Sequence, residues 1–185
     1  TPLYSSAASD VYKRQAYGPY RQSERKPMYK QYASKLIEQG NAYYAFDTAD
    51  ELDAKRKEIP NFQYNRATRT GMKNSLSLPA AEVTRLLNEN TPYVVRINMP
   101  DNEELVFEDL IRGEVKFDTS MVDDKVLLKA DGMPTYHLAV VVDDFEQGIT
   151  HIVRGADLLS NTARQIHLQN VLGLKTPYYR HLPLV

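Results

Sequence analysis

Asp131-Gly-Met-Pro-Thr-Tyr-His-Leu-Ala-Val-Val-Val-Asp-Asp144, followed by Gly148-Ile-Thr-His-Ile-Val-Arg-Gly-Ala-Asp157, governs how the rest of the chain is read. In the second piece, Ile149 to Val153 is a short β-branched run, the pattern of a strand buried on both faces. It ends at Arg154-Gly155. A guanidinium and a residue without Cβ therefore stand at the strand's carboxyl end, where open parallel sheets bind ligands. The first piece is apolar from Leu138 to Val142, so its pattern alone suits helix or strand. Length and caps predict a helix, with Thr135 after Pro134 at its start and Gly148 at its close. On that helix Tyr136 and Val140, four residues apart, share a face.

Outward from this centre the chain is mixed. Gly18-Pro-Tyr-Arg-Gln-Ser-Glu-Arg25 opens a helix, with Ser23 as cap, Pro27 in the first turn, and Tyr29, Tyr32, Ala33, Leu36 and Ile37 at helical spacing before Gly40. Asn41 to Phe46 reads as a strand. Thr48 to Lys57 reads as a helix capped by Thr48 or Asp47. Asn61 to Lys73 is polar, with Arg66, Arg69 and Lys73 near Phe62 and Tyr64. Such a run is either a solvated loop or a surface that stacks and neutralises a single-stranded RNA end. A short helix at Leu78–Leu87 follows. Strands are expected at Tyr93–Pro100, Leu105–Leu110, Arg112–Phe117 and Asp124–Lys129. After the centre, Asp157, Ser160 or Asn161 can cap a helix closed by Gly173, and Tyr179 to Val185 starts a final buried strand.

Composition excludes several classes. The 185 residues carry a formal net charge of −1 and no cysteine, so there is no global basic field, disulfide frame or thiolate metal site. Four scattered histidines give no metal-ligand pair. No apolar run approaches the roughly 20 residues of a membrane helix, and no signal peptide is recognisable. The expectation is a soluble, cytoplasmic, monomeric protein without zinc.

Asp-Gly-Met-Pro-Thr-Tyr-His-Leu-Ala, Val-Val-Asp-Asp, Gly-Ile-Thr-His and Arg-Gly, at their spacing here, resemble the second half of the catalytic domain of glutamyl-tRNA synthetases. The resemblance implies an α/β class: a partial class I Rossmann-type nucleotide-binding fold interrupted by an α+β acceptor-binding insertion. Gly-Pro-Tyr-Arg-Gln-Ser-Glu-Arg is similar to the family's motif after the first half of that fold. Val94-Val-Arg-Ile, Arg112-Gly-Glu-Val and Asp124-Lys-Val-Leu-Leu-Lys resemble landmarks of the insertion. The implied division is 16–44 for the end of the first half, 45–130 for the insertion and 131–185 for the second half. Residues 1–15 resemble nothing in the family. They read as translated adapter sequence, with a genuine polar arm as the alternative.

The resemblance also implies roles. Tyr136 and Arg154 contact glutamate, because a planar guanidinium grips a carboxylate bidentately. The alternative for Arg154 is a structural ion pair with Asp143, Asp144 or Asp157. Val140 stands where the family has Asn, so one polar contact to glutamate is absent. Gly155, Leu158, Leu184 and Val185 match positions beside ATP, which brings Mg²⁺ with it. Arg21, Arg25, Arg66, Arg69 and Arg112 are candidates to face the acceptor stem of tRNA(Glu), though Arg21 and Arg25 equally suit a loop and a packed helix. The family's two phosphate-binding signature loops would fall before residue 16 and after Val185, so these 185 residues alone are expected to be inactive. From Leu138 onward the sequence is closer to glutamyl-Q tRNA(Asp) synthetases, while residues 16 to about 137 look like the full-length type without zinc. The alternatives to a glutamate–tRNA ligase segment are therefore that enzyme or a non-catalytic RNA- or glutamate-binding module.

Overall fold

The computed structural model describes residues 18–183. The arm 1–15 and the Leu184-Val185 pair expected beside adenine lie outside them. Helix α1 (Lys26–Glu38) carries Pro27 in its first turn and buries Tyr29, Ala33 and Leu36. Ser23 does not cap it. That residue lies in a preceding 3₁₀ turn, Gln22–Glu24, and Arg25 takes the cap position. Strand β1 (Ala42–Ala45) leads to α2 (Ala49–Glu58), whose Thr48 and Glu51 form a reciprocal capping box. The polar run expected as loop contains a short helix, α3 (Arg66–Arg69), capped by Asn65. Next come α4 (Ala80–Asn88), β2 (Val94–Ile97), β3 (Glu104–Asp109), β4 (Gly113–Asp118) and β5 (Val126–Leu128).

Helix α5 (Tyr136–Glu146) resolves the ambiguity of the central stretch in favour of helix. Thr135 holds the cap position, but its hydroxyl bonds the Val126 carbonyl of β5 instead of the helix. Gly148 closes the helix at φ +68°, and the Ile149 N–H returns to the Asp144 carbonyl. That closure holds residue 149 within the helix exit, so β6 spans His151–Gly155 and begins two residues later than expected. Nor is β6 buried on both faces. It lies at the edge of its sheet, with Val153 57% exposed. Helix α6 (Leu159–Leu172) already contains Ser160 and Asn161, so neither caps it; it follows a 3₁₀ turn at Ala156–Leu158 and ends at left-handed Gly173. Strand β7 (Tyr178–Leu182) is buried on alternate residues only.

Two sheets result, ordered β1-β2-β5 and β4-β3-β7-β6. The first is antiparallel. In the second, β3 pairs antiparallel with β4 and parallel with β7, and β6 runs parallel to β7. Each sheet joins strands from two of the expected segments. The main apolar core follows the same course, drawing Tyr29 and Leu36 from α1, Val95 and Ile97 from β2, Leu138 and Val142 from α5 and Leu168 from α6. The β3–β4 hairpin, far along the chain from β7, thereby packs beside it, with Phe107 against Tyr179 and Ile166.

Candidate functional site

Strand register places Arg154. It sits opposite His181 in the parallel β6–β7 pair. Alternation puts Ile152 and Arg154 on the same face as buried Tyr179 and His181, where Ile166 and Leu159 of α6 pack. The Arg154 Nε donates to His181 Nε2 at 3.1 Å, and Nη1 donates to the Tyr136 hydroxyl at 3.1 Å. Nη2 donates to Thr162 Oγ1. The guanidinium carbon lies 5.2 Å from the Tyr179 ring centroid. These acceptors are a ring nitrogen and two hydroxyls, so they orient the group without supplying a compensating charge.

Among the described residues, no ion pair joins Arg154 to Asp143, Asp144 or Asp157, the carboxylates that could have made it structural. Asp143 accepts from Arg25 Nε at 2.9 Å and from the Tyr29 hydroxyl at 2.8 Å. Asp144 has its pKa raised to about 6, by burial first and then by the Asp143 charge, with Arg154 opposing both. Asp157 is exposed in the 3₁₀ turn. Arg154 thus presents a positive charge held by neutral groups at the carboxyl end of a strand.

The structure brings Tyr136 and Arg154 together, with Gly155 ending β6 and Leu158 closing the next turn. Val140 is half-buried and packs against the main apolar core. The five arginines assigned to RNA divide. Arg21 and Arg112 are exposed, and Arg66 is exposed while pairing with Asp101 at 2.9 Å. Arg25 and Arg69 are corrections. Arg25 is 3% exposed and ties α1 to α5 through Asp143. Arg69 is 9% exposed and pairs with buried Asp124 at 2.9 Å. Both charges are neutralised inside the fold, so neither side chain presents itself to a phosphate.

Other residues escaped the sequence reading. Thr162, His181 and Asp109 complete the surroundings of Arg154. A cleft of about 800 Å³, lined by Arg56, Tyr64, Arg96, Lys125, Tyr136 and Arg164, opens between the insertion strands and α5–α6. Arg96 lies over the Tyr64 ring at 4.0 Å. His137, in the same cleft, has its pKa lowered to about 4 by burial and then by the charges of Arg164 and Lys125, so its ring stays neutral. Only alternating basic and aromatic residues hinted at this surface. Tyr136 borders both places: its ring lines the cleft and its hydroxyl meets Arg154.

Comparison with known proteins gives the family. The family described as tRNA synthetases class I (E and Q), catalytic domain, matches residues 7–185, and so begins inside the arm read as unrelated. The glutamate–tRNA ligase of Christiangramia forsetii is 50% identical over 177 residues, 94% of this chain and 35% of that protein. The ligase of Bacteroides fragilis is 50% identical over 172 residues, 91% of this chain and 34% of that protein. A crystal structure of a glutamate tRNA ligase from Elizabethkingia meningosepticum, in complex with its amino acid, superposes with a TM-score of 0.90 at 44% identity, covering 94% of this chain and 36% of that one. The chain thus spans about a third of the length of the curated relatives it matches. It belongs to the class I tRNA synthetases of the glutamyl and glutaminyl type, within their catalytic domain.

Proposed function

We propose that these residues form the amino-acid-selecting part of a glutamate–tRNA ligase, which joins glutamate to ATP and then passes the glutamyl group to tRNA(Glu). The observation that carries this is Arg154, fixed by three neutral acceptors and free to offer its charge. A guanidinium carries five N–H groups. With Nε and one N–H of each terminal nitrogen engaged, one N–H remains on Nη1 and one on Nη2, matching the two oxygens of a carboxylate. Tyr136 and Arg154 hold the glutamate, while Val140 forms an apolar wall. Gly155 and Leu158 are assigned to ATP, and Leu184 and Val185, outside the described residues, share that assignment through the family resemblance alone.

The cationic cleft on the other side of Tyr136 suits the single-stranded acceptor end, with Arg21, Arg66 and Arg112 as outlying phosphate contacts. Transfer needs the two substrates to meet, and Tyr136 borders both places. Magnesium would arrive on the ATP phosphates. Among the described residues no three His, Cys, Asp or Glu side chains converge as ligands for it. No helix of the described residues is long and apolar enough to cross a membrane. The proposed setting is the cytoplasm, as a monomer.

The test grafts this chain in place of the matching third of the Christiangramia forsetii ligase and assays charging. Glutamate should be attached to tRNA(Glu) in an ATP-dependent reaction. Charging of queuosine-bearing tRNA(Asp) instead would move the assignment to the glutamyl-Q enzymes, and binding without charging would leave a recognition module.

A further inference from the structure

His181 is fully buried on β7, and its ring is held from both sides. On one side, Nδ1 lies 2.6 Å from Asp109 Oδ2. Asp109 is 1% exposed and also accepts the backbone N–H groups of Ile111 at 2.9 Å, Arg112 at 3.0 Å and His181 at 3.1 Å. Burial pushes its pKa up, but the hydrogen bonds from His181, Ile111 and Arg112 outweigh that, and the carboxyl ends below its usual range. An ionised carboxylate only accepts, so Nδ1 must carry the proton. On the other side, Nε2 faces Arg154 Nε at 3.1 Å and Thr162 Oγ1 at 2.9 Å. A proton on Nε2 would point an N–H at an N–H, next to a full positive charge. The network therefore selects the neutral Nδ1–H tautomer, whose free lone pair accepts from Arg154.

We propose that His181 is a positioning residue for the amino-acid site: Asp109 fixes its tautomer, and its Nε2 then fixes the guanidinium plane of Arg154. The claim rests on the reading of Arg154 as the glutamate clamp. Without an acceptor at Nε one of the three bonds that set the guanidinium plane is lost, and the rigid fork, held only by Tyr136 and Thr162, is aimed less closely at the carboxylate. Asp109 belongs to the β3–β4 hairpin, so a residue far outside the second Rossmann-type half controls the clamp through one imidazole.

Two amide substitutions separate positioning from mere packing. His181→Gln puts an amide oxygen near the Nε2 position and keeps an acceptor for Arg154. His181→Asn places its amide near Nδ1, keeping the bond to Asp109 and losing the acceptor. In the grafted ligase, His181→Asn should raise the glutamate KM about tenfold, while His181→Gln stays within about threefold of the parent. The ATP KM should hold in both. Asp109→Asn should follow His181→Asn, because an amide N–H facing Nδ1 reverses the tautomer. Nitrogen-15 resonances of the His181 ring read this directly, with Nδ1–H in the parent and Nε2–H in Asp109→Asn.

The reverse order of the two His181 variants, equal shifts in both KM values, or an unchanged tautomer in Asp109→Asn would overturn the proposal. Arg154→Ala in the same graft distinguishes the two levels. If it leaves the glutamate KM unmoved, the clamp itself is wrong. If it raises that KM and the His181 variants do not, only the positioning role falls.

Discussion

Arg69 and Arg154 are both arginines whose charge is held inside polar networks, yet they end in opposite states. The Arg69 network closes on itself. Its guanidinium meets the Asp124 carboxylate at 2.9 Å, and Asp124 also accepts from the Tyr43 hydroxyl at 2.8 Å and the Met99 N–H at 3.1 Å. Charge is matched by charge, in a side chain that is itself buried. The Arg154 network stays open, because its acceptors are His181, Tyr136 and Thr162 and the nearest carboxylate of that network, Asp109, stands one imidazole away. A ring placed between carboxylate and guanidinium transmits orientation without cancelling charge. The difference separates an arginine that holds the fold from one whose proposed task is to hold a substrate.

The largest effect expected from this contrast is on stability. Arg69→Met leaves Asp124 buried without its cation, and breaking such a pair costs about 3–5 kcal/mol. Denaturant unfolding of the chain should register that loss, and a second change, Asp124→Asn, should recover part of it. Full stability in Arg69→Met would mean the network is not closed.

Matched hydroxyl deletions come next. Tyr43→Phe removes the buried donor to Asp124 and should cost about 1–2 kcal/mol of stability without touching glutamate kinetics. Tyr136→Phe removes the acceptor for Arg154 Nη1 at a half-exposed ring, so stability should hold while the glutamate KM of the grafted ligase rises severalfold. Identical behaviour of the two variants would erase the distinction drawn here.

A smaller effect concerns pH. Asp144 is neutral-biased in the fold, its pKa raised to about 6 from an ordinary 3.8 by burial first and then by Asp143. The folded state therefore binds its proton more tightly than the unfolded one. Its contribution is fully present below the ordinary value and is lost as pH rises through about 6. Stability of the parent should decline across that window, and Asp144→Asn should flatten the decline. An unchanged profile would mean that burial and Asp143 do not hold the Asp144 proton.

Local signals in the sequence carried the helices well. Pro27, Thr48, Gly148 and Gly173 act within a few residues of where they stand, and each sits at the start or close of its element as read. Ser23, Ser160 and Asn161 failed as caps, since short 3₁₀ turns start ahead of them and shift the helix entry. The Tyr136–Arg154 pair was legible because its residue types and spacing carry a family pattern. Its supports were not. Asp109 and His181 are 72 residues apart, Arg69 and Asp124 are 55 apart, and Arg25 and Asp143 are 118 apart. No periodicity or cap links positions so distant, which is why Arg25 and Arg69 read as candidate RNA-facing charges and Asp109 as one more residue of a strand. Tertiary pairing decides whether a charge in the sequence is available.

The most direct test of the central claim is Arg154→Lys in the grafted ligase, read by both substrate KM values and by the thermal midpoint. Lysine keeps the charge but loses the planar fork and the Nε donor to His181. The expected result is a ten- to hundredfold loss, about 1.5–3 kcal/mol, in kcat/KM for glutamate, with the ATP KM and the midpoint essentially unchanged. A lowered midpoint with glutamate and ATP kinetics damaged alike would make Arg154 a second Arg69, and the clamp would be refuted.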